Sequence, residues 1–476
     1  MVLRCYLCTS GARYFQVHPA RWRKGGRPIQ AVIKADRKTR KVFAISLGCP
    51  KNRVDTEGML GLLLQAGNAL VTDPREADVV LVNTCAFLEE ARNESLETIR
   101  ALAKRMKRDA TMVVAGCMVP EFQEEVRKLC KDALLVKPSE IHKVSEFLLK
   151  DKPCEDIFLP RLLTTNPGTA YLKVADGCSR RCSFCIIPRL RGRQKSIPVA
   201  LLVEEARRLV ATGAKEIVLV AQDLTHYGKD LDSKEDLAQL VERLSAPDVG
   251  IHWLRLMYLY PKDIPEKLLD VVAERKNVLR YFDIPVQHGD DSVLRAMRRG
   301  TTKASLKDLL STIRRRCPDA WLRTTFMVGF PNETEEAFKN LLQFAKEAEF
   351  DAAGVFVFSK EPLAYASRMD CQVGASVARQ RKRKLESFLA RIAQSKRRKL
   401  LGEVHEALIE EVDKDGMGTG RLWFQAPEVD GKVTVKGCTT APGQFAFVRL
   451  DAFAGNDFFG TEVSSSEKDQ RHRFRP

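Results

Sequence analysis

Three cysteines are concentrated in one short segment of the chain, Gly177-Cys178-Ser-Arg-Arg-Cys182-Ser-Phe-Cys185. The segment directly follows an apolar run at residues 171–175 that has the composition of a strand. Three thiolates on one loop are suitable ligands for an iron–sulfur cluster or for zinc. A four-iron cluster held by three thiolates keeps one iron open, and an open metal position is typical of a catalytic site. The pattern predicts a catalytic iron–sulfur centre, with a zinc site or unrelated cysteines as the alternatives.

A second set of three cysteines is spread along the N-terminal part, and each cysteine directly follows a predicted strand. These strands and cysteines are residues 42–47 with Cys49, residues 79–82 with Cys85, and residues 111–115 with Cys117. Amphipathic segments of helical length separate the strands, at 56–66 and 89–106, which predicts a βαβαβ unit with a parallel sheet. Because the carboxyl ends of parallel strands meet at one edge, these three thiols are expected to converge there.

The remaining cysteines lack such a placement. Cys5 and Cys8 form a CxxC pair with no nearby partner, which we interpret as incidental. Core packing is the expected role of the other five, since cysteine is often buried: Cys130, Cys154, Cys317, Cys371 and Cys438.

The region from residue 165 to 376 repeats strand and helix about six times. Its strands are predicted near residues 171–175, 216–220, 251–256, 281–284, 322–328 and 354–358. This repeat predicts a complete or partial β/α barrel whose active loops share one rim. Polar or glycine residues that follow the strands are predicted to line a site on that rim: Gln222, Asp223, Gln287, His288, Gly329 and Glu333.

The C-terminal part changes from helical to β-like patterning. Residues 377–401 predict a basic linker helix with a buried stripe at Leu385, Phe388, Leu389 and Ile392. Residues 402–463 predict five short strands that close into a small barrel, a class that often binds nucleic acid. We expect the last segment, 464–476, to be a disordered tail.

The composition indicates a basic protein of the cytoplasm. The net charge is +17, and the first forty residues hold ten Lys or Arg but one acid, so we expect 1–40 to be a basic disordered extension. Such an excess is typical of a polyanionic partner such as RNA. No apolar run has the length of a membrane span or of a signal peptide, so no membrane partner is expected. Thirteen clustered cysteines fit reduced thiols that bind metals better than a secreted disulfide framework.

Almost the whole chain, from about residue 41 to 463, resembles one family of enzymes. The CxxxCxxC at Cys178, Cys182 and Cys185 resembles the signature of radical S-adenosylmethionine (SAM) enzymes. Cys49, Cys85 and Cys117 resemble the set in the N-terminal domain of the methylthiotransferases. The resemblance implies an α/β fold with three domains: an open parallel α/β domain at 41–150, a partial TIM-like radical SAM barrel at 165–376, and a TRAM-like β barrel at 402–463.

Short motifs resemble the RimO-type branch, which modifies an aspartate of small-subunit ribosomal protein twelve. Cys49-Pro-Lys-Asn52 is usual in that branch, and Asn83-Thr-Cys-Ala-Phe87 and Asp283-Ile-Pro-Val-Gln-His288 resemble it as well. The branch that modifies tRNA adenosines more often has Cys-Gln-Met-Asn and Gln-Ser-Gly at these places. The extension before residue 41 is required by neither branch, and Arg189-Leu-Arg-Gly-Arg193 fits either. A tRNA adenosine methylthiotransferase and a non-catalytic, metal-stabilised RNA-binding protein are the alternatives.

The resemblance also implies cofactors, roles and partners. Cys178, Cys182 and Cys185 would hold a 4Fe–4S cluster whose open iron binds SAM and generates a deoxyadenosyl radical, which takes hydrogen from the β-carbon of the aspartate. Cys49, Cys85 and Cys117 would hold a second 4Fe–4S cluster that carries the inserted sulfur, and another SAM would supply the methyl group. Gln222, Gly329 and Glu333 are the predicted SAM-binding residues. The expected partners are ribosomal protein twelve or the ribosome, with RNA contact, and an electron donor such as flavodoxin or ferredoxin.

Overall fold

The computed structural model describes residues 39–144, 146 and 160–464. The predicted basic extension and the C-terminal tail lie outside the described residues, except for residues 39, 40 and 464. Cys5, Cys8 and Cys154 lie outside them as well. The described chain forms two compact units. The first contains the residues up to Thr164 together with Gly177–Ser179 and Ile186–Arg193, and the second contains the rest.

Parallel strands and the helices between them make up most of both units. In chain order the strands are β1 (Lys41–Ser46), β2 (Ala69–Leu70), β3 (Val79–Thr84), β4 (Thr111–Gly116), β5 (Leu134–Val136), β6 (Thr169–Lys173), β7 (Ala175–Asp176), β8 (Lys195–Ser196), β9 (Glu216–Val220), β10 (Trp253–Leu256), β11 (Val278–Asp283), β12 (Trp321–Val328), β13 (Ala352–Val357), β14 (Val404–Val412), β15 (Gly418–Leu422), β16 (Val433–Lys436), β17 (Phe445–Ala454) and β18 (Asp457–Glu462). The helices are α1 (Pro50–Gln65), α2 (Glu89–Arg105), α3 (Met118–Leu129), α4 (Ile187–Arg191), α5 (Val199–Ala211), α6 (Leu237–Leu244), α7 (Glu266–Glu274), α8 (Asp291–Ala296), α9 (Lys303–Arg316), α10 (Glu335–Ala348) and α11 (Ala375–Arg398).

The first unit is built on a five-stranded parallel sheet with the order β2-β1-β3-β4-β5. Every residue of the central strand β3 is buried, as expected for a parallel strand covered on both faces. Met59, Leu60 and Leu63 of α1 pack in one core cluster with Val79 and Val113 of the sheet. The three predicted strands of this unit are confirmed, and the short strands β2 and β5 extend the sheet at its two edges.

Helix α1 begins at Pro50, immediately after Cys49, because proline suits the first position of a helix. Its predicted start was six residues later, at position 56. The carboxylate of Glu57 in this helix is buried, and it accepts hydrogen bonds from Arg161 Nη2 at 2.6 Å and Thr164 N at 2.7 Å. The same segment crosses α1 so closely that a Cβ on Gly61 would lie 1.8 Å from the carbonyl oxygen of Pro160.

The second unit contains a six-stranded parallel sheet with the order β6-β9-β10-β11-β12-β13. Its two edge strands, β6 and β13, are not paired with each other, so the sheet is open. The predicted β/α repeat is confirmed in its partial form. Each connection between neighbouring parallel strands returns the chain to the same end, so the loops after the strands share one rim.

A closed five-stranded barrel follows in the second unit, with the order β14-β15-β16-β18-β17. Most of its pairs are antiparallel, and the pair β16–β18 is parallel. Alternating residues of β17 are buried, which is the pattern of a strand with one face in a barrel interior. The prediction of a small five-stranded barrel is confirmed.

Buried ion pairs join this barrel to the amino-terminal ends of the parallel strands. Arg421 Nη2 donates to Glu216 Oε2 at 2.5 Å and to Thr169 Oγ1 at 2.7 Å. Glu216 and Thr169 are the first residues of β9 and β6. Arg421 Nε also donates to Glu410 Oε1 at 2.6 Å, and Arg255 Nε donates to the other oxygen of Glu216 at 2.6 Å. The barrel therefore packs against the amino-terminal ends of these parallel strands, opposite the rim formed by the loops at their carboxyl ends.

A second buried group makes the same connection. Asp430 of the barrel accepts hydrogen bonds from the Tyr281 hydroxyl of β11 and from Arg323 Nε of β12, the latter at 3.0 Å. Arg323 Nη1 also donates to Asp283 at 2.7 Å. Two independent sets of polar contacts thus connect the barrel with the sheet of the same unit.

Helix α11 has the predicted buried stripe and a cationic exposed face. Leu385 and Leu389 are buried, while Phe388 and Ile392 are half-buried. Near the start of the helix, a Cβ on Gly329 would lie 2.5 Å from the Cβ of Ala378, so the helix packs closely on the turn after β12. The domain limits 41–150, 165–376, 377–401 and 402–463 stay predictions.

Candidate metal centres

The three cysteines of the first unit lie at one edge of its sheet. Cys49 and Cys117 are the N-cap residues of α1 and α3. Cys117 directly follows β4, and Cys49 lies three residues after the end of β1. Cys85 directly follows β3, which lies between those two strands. The backbone N–H of Cys117 donates to the carbonyl of Thr84 at 3.0 Å, which connects the ends of β3 and β4. The sheet therefore presents all three thiols at the carboxyl ends of neighbouring strands, as predicted.

The electrostatics of Cys85 show that the three thiols interact. Burial, together with the negative charges of Cys117 and Cys49, raises the pKa of the Cys85 thiol to about 12. Gly48 allows the loop after β1 to approach Cys85, because a Cβ there would lie 2.7 Å from the Cys85 Cβ. The φ angle of Gly48 is +86°, a conformation that other residues rarely adopt. This glycine is thus required by both the turn and the close approach.

Cys49 lies in a more positive environment than Cys85. Burial raises the pKa of its thiol, but the charges of Lys51 and Arg191 and the backbone N–H groups of Lys51 and Asn52 outweigh that effect. The resulting pKa is lowered from the usual value of a thiol. A depressed thiol pKa favours the thiolate, which is the form that binds metals.

Asn52 connects the loops that carry the cysteines. Its Nδ2 donates to the carbonyl of Leu47 and to that of Thr84, both at 2.9 Å. Its Oδ1 accepts a hydrogen bond from Arg191 and lies 3.9 Å from the Sγ of Cys117. A fully buried side chain thus fixes the loops after β1 and β3 relative to each other.

Arg191 brings a buried positive charge to the same site. It belongs to α4, which is part of the first unit, and its Nη2 lies 3.1 Å from the carboxylate of Asp55. Both side chains are 1% exposed. A buried cation needs partners, and those of Arg191 include the carboxylate of Asp55 and the amide oxygen of Asn52. Its charge also acts to lower the pKa of the Cys49 and Cys85 thiols, although burial outweighs it at Cys85.

This donor set fits an iron–sulfur cluster. It contains three convergent thiols, with Lys51 and Arg191 close enough to act on Cys49, and such cations compensate the negative charge that thiolates give to a cluster. Among the described residues, no group of three His, Cys, Asp or Glu side chains stands close enough to share one metal ion. In a 4Fe–4S cluster each thiolate binds its own iron, so its ligands are more widely spaced than those of a single ion.

The second cysteine set lies on the loop between β7 and α4. Cys178 is buried within the first unit, and its N–H donates to the carbonyl of Gly192 at 3.0 Å. A Cβ on Gly177 would lie 2.3 Å from the carbonyl oxygen of Arg193, so this glycine also permits a close approach of two chain segments.

Cys182 and Cys185 belong to the second unit, where the loop is held by backbone and core contacts. The N–H of Cys185 donates to the carbonyl of Cys182 at 3.1 Å. Between them, Ser183 donates from its backbone to Met297 O at 3.1 Å and accepts from Ala366 N at 2.7 Å. Phe184 packs against a hydrophobic cluster that contains Val293, Met297, Phe330, Ala337 and Ala366. Backbone hydrogen bonds and core packing therefore hold this half of the loop.

A buried arginine lies beside Cys182. Arg299 Nη1 is 3.4 Å from the Cys182 Sγ, and Arg299 Nη2 donates to the carbonyl of Pro285 at 2.5 Å. The Arg299 guanidinium lies over the ring of Tyr260, with its Cζ 4.0 Å from the ring centroid. The guanidinium of Arg180 also lies over this ring, at 4.1 Å.

The predicted rim residues follow their strands as expected, but they differ in what they contact. Gln222 donates from Nε2 to Asp176 at 3.1 Å, and its buried Oε1 has no hydrogen-bond partner among the described residues. Asp223 accepts from Arg180 Nε at 2.6 Å. Gln287 has a positive φ of +72° and pairs with β12 through its backbone, its N–H donating to Thr325 O at 2.9 Å.

Glu333, His288 and Gly329 form a buried group. The Glu333 carboxylate accepts from the backbone N–H of Gly329, lies 3.2 Å from Arg381 Nη1, and lies 3.4 Å from His288 Nε2. His288 and Glu333 side chains have no exposed surface. Glu333 thus holds the turn after β12 from inside the protein.

Sequence reasoning missed four residues of these sites: Asn52, Arg191, Tyr260 and Arg299. A signal was present only for Asn52, which lies in the first turn of a helix that begins at a cysteine. The arginines belong to segments rich in exposed arginine, where nothing in the sequence distinguishes the buried ones.

Comparison with known proteins covers nearly all of the chain. Three family models match: the Uncharacterized protein family UPF0004 at residues 41–136, the Radical SAM superfamily at 172–345 and the TRAM domain at 401–463. A ribosomal protein uS12 methylthiotransferase RimO from Desulfosudis oleivorans is 42% identical over 437 residues, which are 88% of this chain and 99% of that protein. A RimO protein from Aquifex aeolicus is 40% identical over 430 residues, covering 89% of this chain and 98% of that protein.

This chain belongs to the RimO methylthiotransferase family. Its activity is that of a radical SAM transferase, and its cofactors are SAM and 4Fe–4S clusters. The predicted family and fold class are confirmed.

A solved structure supports the fold of this RimO family member. The radical SAM methyltransferase TsrM from Kitasatospora setae, with cobalamin and a [4Fe-4S] cluster bound, superimposes with a TM-score of 0.53. The match covers 69% of this chain and 77% of that one at 15% identity, so it concerns the fold alone. No helix in the described part of the chain is long and apolar enough to cross a membrane.

Proposed function

We propose that this protein attaches a methylthio group to the β-carbon of an aspartate in small-subunit ribosomal protein twelve (uS12). The observation that carries the proposal is the presence of two cysteine sets, one at the ends of three parallel strands and one on a single loop after β7, in a chain aligned with RimO proteins over 88% of its length. The RimO-type motifs Cys49-Pro-Lys-Asn52 and Asp283-Ile-Pro-Val-Gln-His288 support uS12 over tRNA.

Six cysteines would hold the two clusters. Cys49, Cys85 and Cys117 form one set, and Cys178, Cys182 and Cys185 form the other. When bound, the clusters supply the electron that activates SAM and the sulfur that is inserted, so the difficult chemistry belongs to the cofactors. The tasks of the protein are to hold these groups, to place their charges and to exclude water.

The chain performs these tasks with buried polar side chains. In the first unit, Asn52 fixes the loops around Cys49, Cys85 and Cys117, and the charge of Arg191 offsets that of the thiolates. In the second unit, we propose that Gln222 and Gly329 contact SAM. The buried amide oxygen of Gln222 can accept a hydrogen bond from SAM. The Glu333 carboxylate accepts a hydrogen bond from the backbone N–H of Gly329 and so positions the turn that contains this glycine.

The partners follow from the charge distribution. Helix α11 contains nine Lys or Arg and one acid. Arg379, Arg383, Lys384 and Arg391 of this helix are exposed, so we propose that they contact ribosomal RNA phosphates near uS12. An electron donor such as flavodoxin or ferredoxin would reduce the clusters. We propose that the protein acts in the cytoplasm, where ribosomal proteins are assembled.

Intact mass spectrometry of small-subunit ribosomal proteins tests the proposal. Cells that contain the protein should have uS12 heavier by one methylthio group than cells that lack it. The protein variant Cys117→Ala should fail to restore the mass, while Cys130→Ala, in the same unit but outside both sets, should restore it. An unchanged uS12 with modified tRNA adenosines would instead assign the protein to the tRNA branch.

The metal content of the same variants tests the cofactors. Anaerobically purified protein should contain iron and sulfide, and Cys117→Ala should lose about half of both, because one of two clusters loses a ligand. Cys130→Ala should keep the full content. Zinc without sulfide in the unaltered protein would support a non-catalytic, metal-stabilised RNA-binding protein.

A further inference from the structure

Arg299 is a buried cation that faces a cysteine of the proposed SAM-binding cluster. Arg299 is 5% exposed, and its Nη1 lies 3.4 Å from the Sγ of Cys182. Within the described part of the chain, no carboxylate lies within ion-pair distance of Arg299. Its polar contacts there are Cys182 Sγ and the carbonyl of Pro285. A buried charge without a carboxylate partner is costly unless another anion compensates it.

Tyr260 and Arg180 hold Arg299 in place. The Tyr260 hydroxyl donates to the backbone carbonyl of Arg299 at 2.6 Å, and its ring lies under the Arg299 guanidinium. Arg180, over the same ring, is fixed by Asp223 at 2.6 Å and Asp263 at 3.3 Å. The carboxylates in this group therefore pair with Arg180, and the charge of Arg299 is left directed at the thiol.

We propose that Arg299 is a positioning residue that tunes the cluster bound by Cys178, Cys182 and Cys185, an inference that rests on the proposed function. One N–H of Arg299 donates to the thiolate sulfur of Cys182, and its positive charge favours the state of the cluster that has gained an electron. Hydrogen bonds to cluster sulfurs and the net charge nearby are the terms by which a protein sets a cluster's reduction potential. The step is a one-electron reduction by a low-potential carrier such as reduced flavodoxin or ferredoxin, and no bond to Arg299 forms or breaks.

The Arg299→Met variant tests this role through a potential rather than through activity. The full-length protein is loaded with iron and sulfide and is titrated anaerobically, with the reduced cluster followed by electron paramagnetic resonance. A background without Cys49, Cys85 and Cys117 assigns the signal to the cluster at Cys182. At a fixed solution potential, the ratio of reduced to oxidised cluster should fall at least tenfold, or about 59 mV for one electron.

Further variants separate tuning from folding. Arg298→Met removes a neighbouring exposed arginine and should leave the ratio within about twofold of the unaltered protein. Arg299→Lys keeps the charge but loses the planar guanidinium over Tyr260, so a fall smaller than that of Arg299→Met is expected. If Arg299→Met does not retain iron, Arg299→Gln, which removes the charge but keeps a polar side chain, decides the question, and an unchanged ratio in it overturns the proposal.

One result for Arg299→Met would contradict the proposed role of Arg299. An Arg299→Met variant that holds its full iron and has an unchanged ratio would show that Arg299 serves packing alone, and the inference would be wrong. Failure of the proposed function has different signatures, which are an unchanged mass of uS12 in cells that contain the protein, or zinc without sulfide in the unaltered protein.

Discussion

Arg421 connects the C-terminal barrel to the parallel sheet, and its removal should strongly destabilise the second unit. Its side chain is 3% exposed, and that of its partner Glu216 is fully buried. In Arg421→Met, Glu216 keeps Arg255 but loses its shorter contact. Glu410 loses its ion pair with Arg421 and keeps the hydrogen bond from Asn166 Nδ2. Breaking a buried ion pair by removing one partner costs about 3–5 kcal/mol. Because Arg255 remains, we expect a loss of about 3 kcal/mol in the free energy of unfolding.

Urea unfolding followed by tryptophan fluorescence measures this loss. Three of the four tryptophans, Trp253, Trp321 and Trp423, belong to the second unit and report on it. Arg449→Met is the matched control, since Arg449 lies in the same barrel and makes an exposed ion pair with Asp451 at 3.2 Å. Exposed pairs contribute about 0–1 kcal/mol, so the control should remain close to the unaltered protein.

A double-mutant cycle checks that the loss comes from the Arg421–Glu216 pair. Glu216→Gln combined with Arg421→Met should cost less than the sum of the two single changes, because the carboxylate left uncompensated by Arg421→Met is then absent. If Arg421→Met lowers the free energy of unfolding by less than about 1 kcal/mol, the barrel is not held by this contact and our account of the connection is refuted.

Two further predictions concern acid stability and a close helix contact. Burial alone would raise the pKa of Glu216, but the charges of Arg421 and Arg255 outweigh burial. The pKa of Glu216 is therefore lowered from its usual value of 4.5. The stability from this group is present above pH 4.5 and is lost as the pH falls through the depressed pKa, and unfolding of Arg421→Met in a pH series should begin at higher pH. Gly61→Ala should destabilise the first unit by about 2 kcal/mol in thermal unfolding, since its Cβ would meet a backbone oxygen at 1.8 Å, although alanine usually stabilises a helix. Gly374→Ala, with open space around it, should change stability by less than about 1 kcal/mol, and an equal effect of both changes would contradict the packing argument.

The elements that carry the cysteines could be predicted from the sequence because their signals are local. Apolar runs such as 79–82 and 216–220 are long enough to indicate strands, and both are strands in the structure. The same local pattern placed Cys49, Cys85 and Cys117 after β1, β3 and β4. The start of α1 was predicted too late, because its first turn, Pro50-Lys-Asn-Arg53, is polar by composition although it is buried by the surrounding loops.

The residues that surround the thiols could not be predicted, because their roles depend on contacts between distant segments. Arg191 lies 139 positions from Asn52 in the chain, and Arg299 lies 117 positions from Cys182. Each is one arginine among many in a basic chain, and only the fold separates a buried cation from a solvated one. The short strands β2 and β5 were missed for a different reason, since two or three residues show no periodicity.

The contacts of Ser183 and Phe184 have a consequence for the maturation of the enzyme. Zinc fingers acquire their fold only when metal arrives, so the loss of metal unfolds them. Here, backbone hydrogen bonds with Met297 and Ala366 and packing on a hydrophobic cluster hold the segment between Cys182 and Cys185. We therefore expect this segment to rearrange less on binding its cluster than the ligand loops of a zinc finger do on binding zinc.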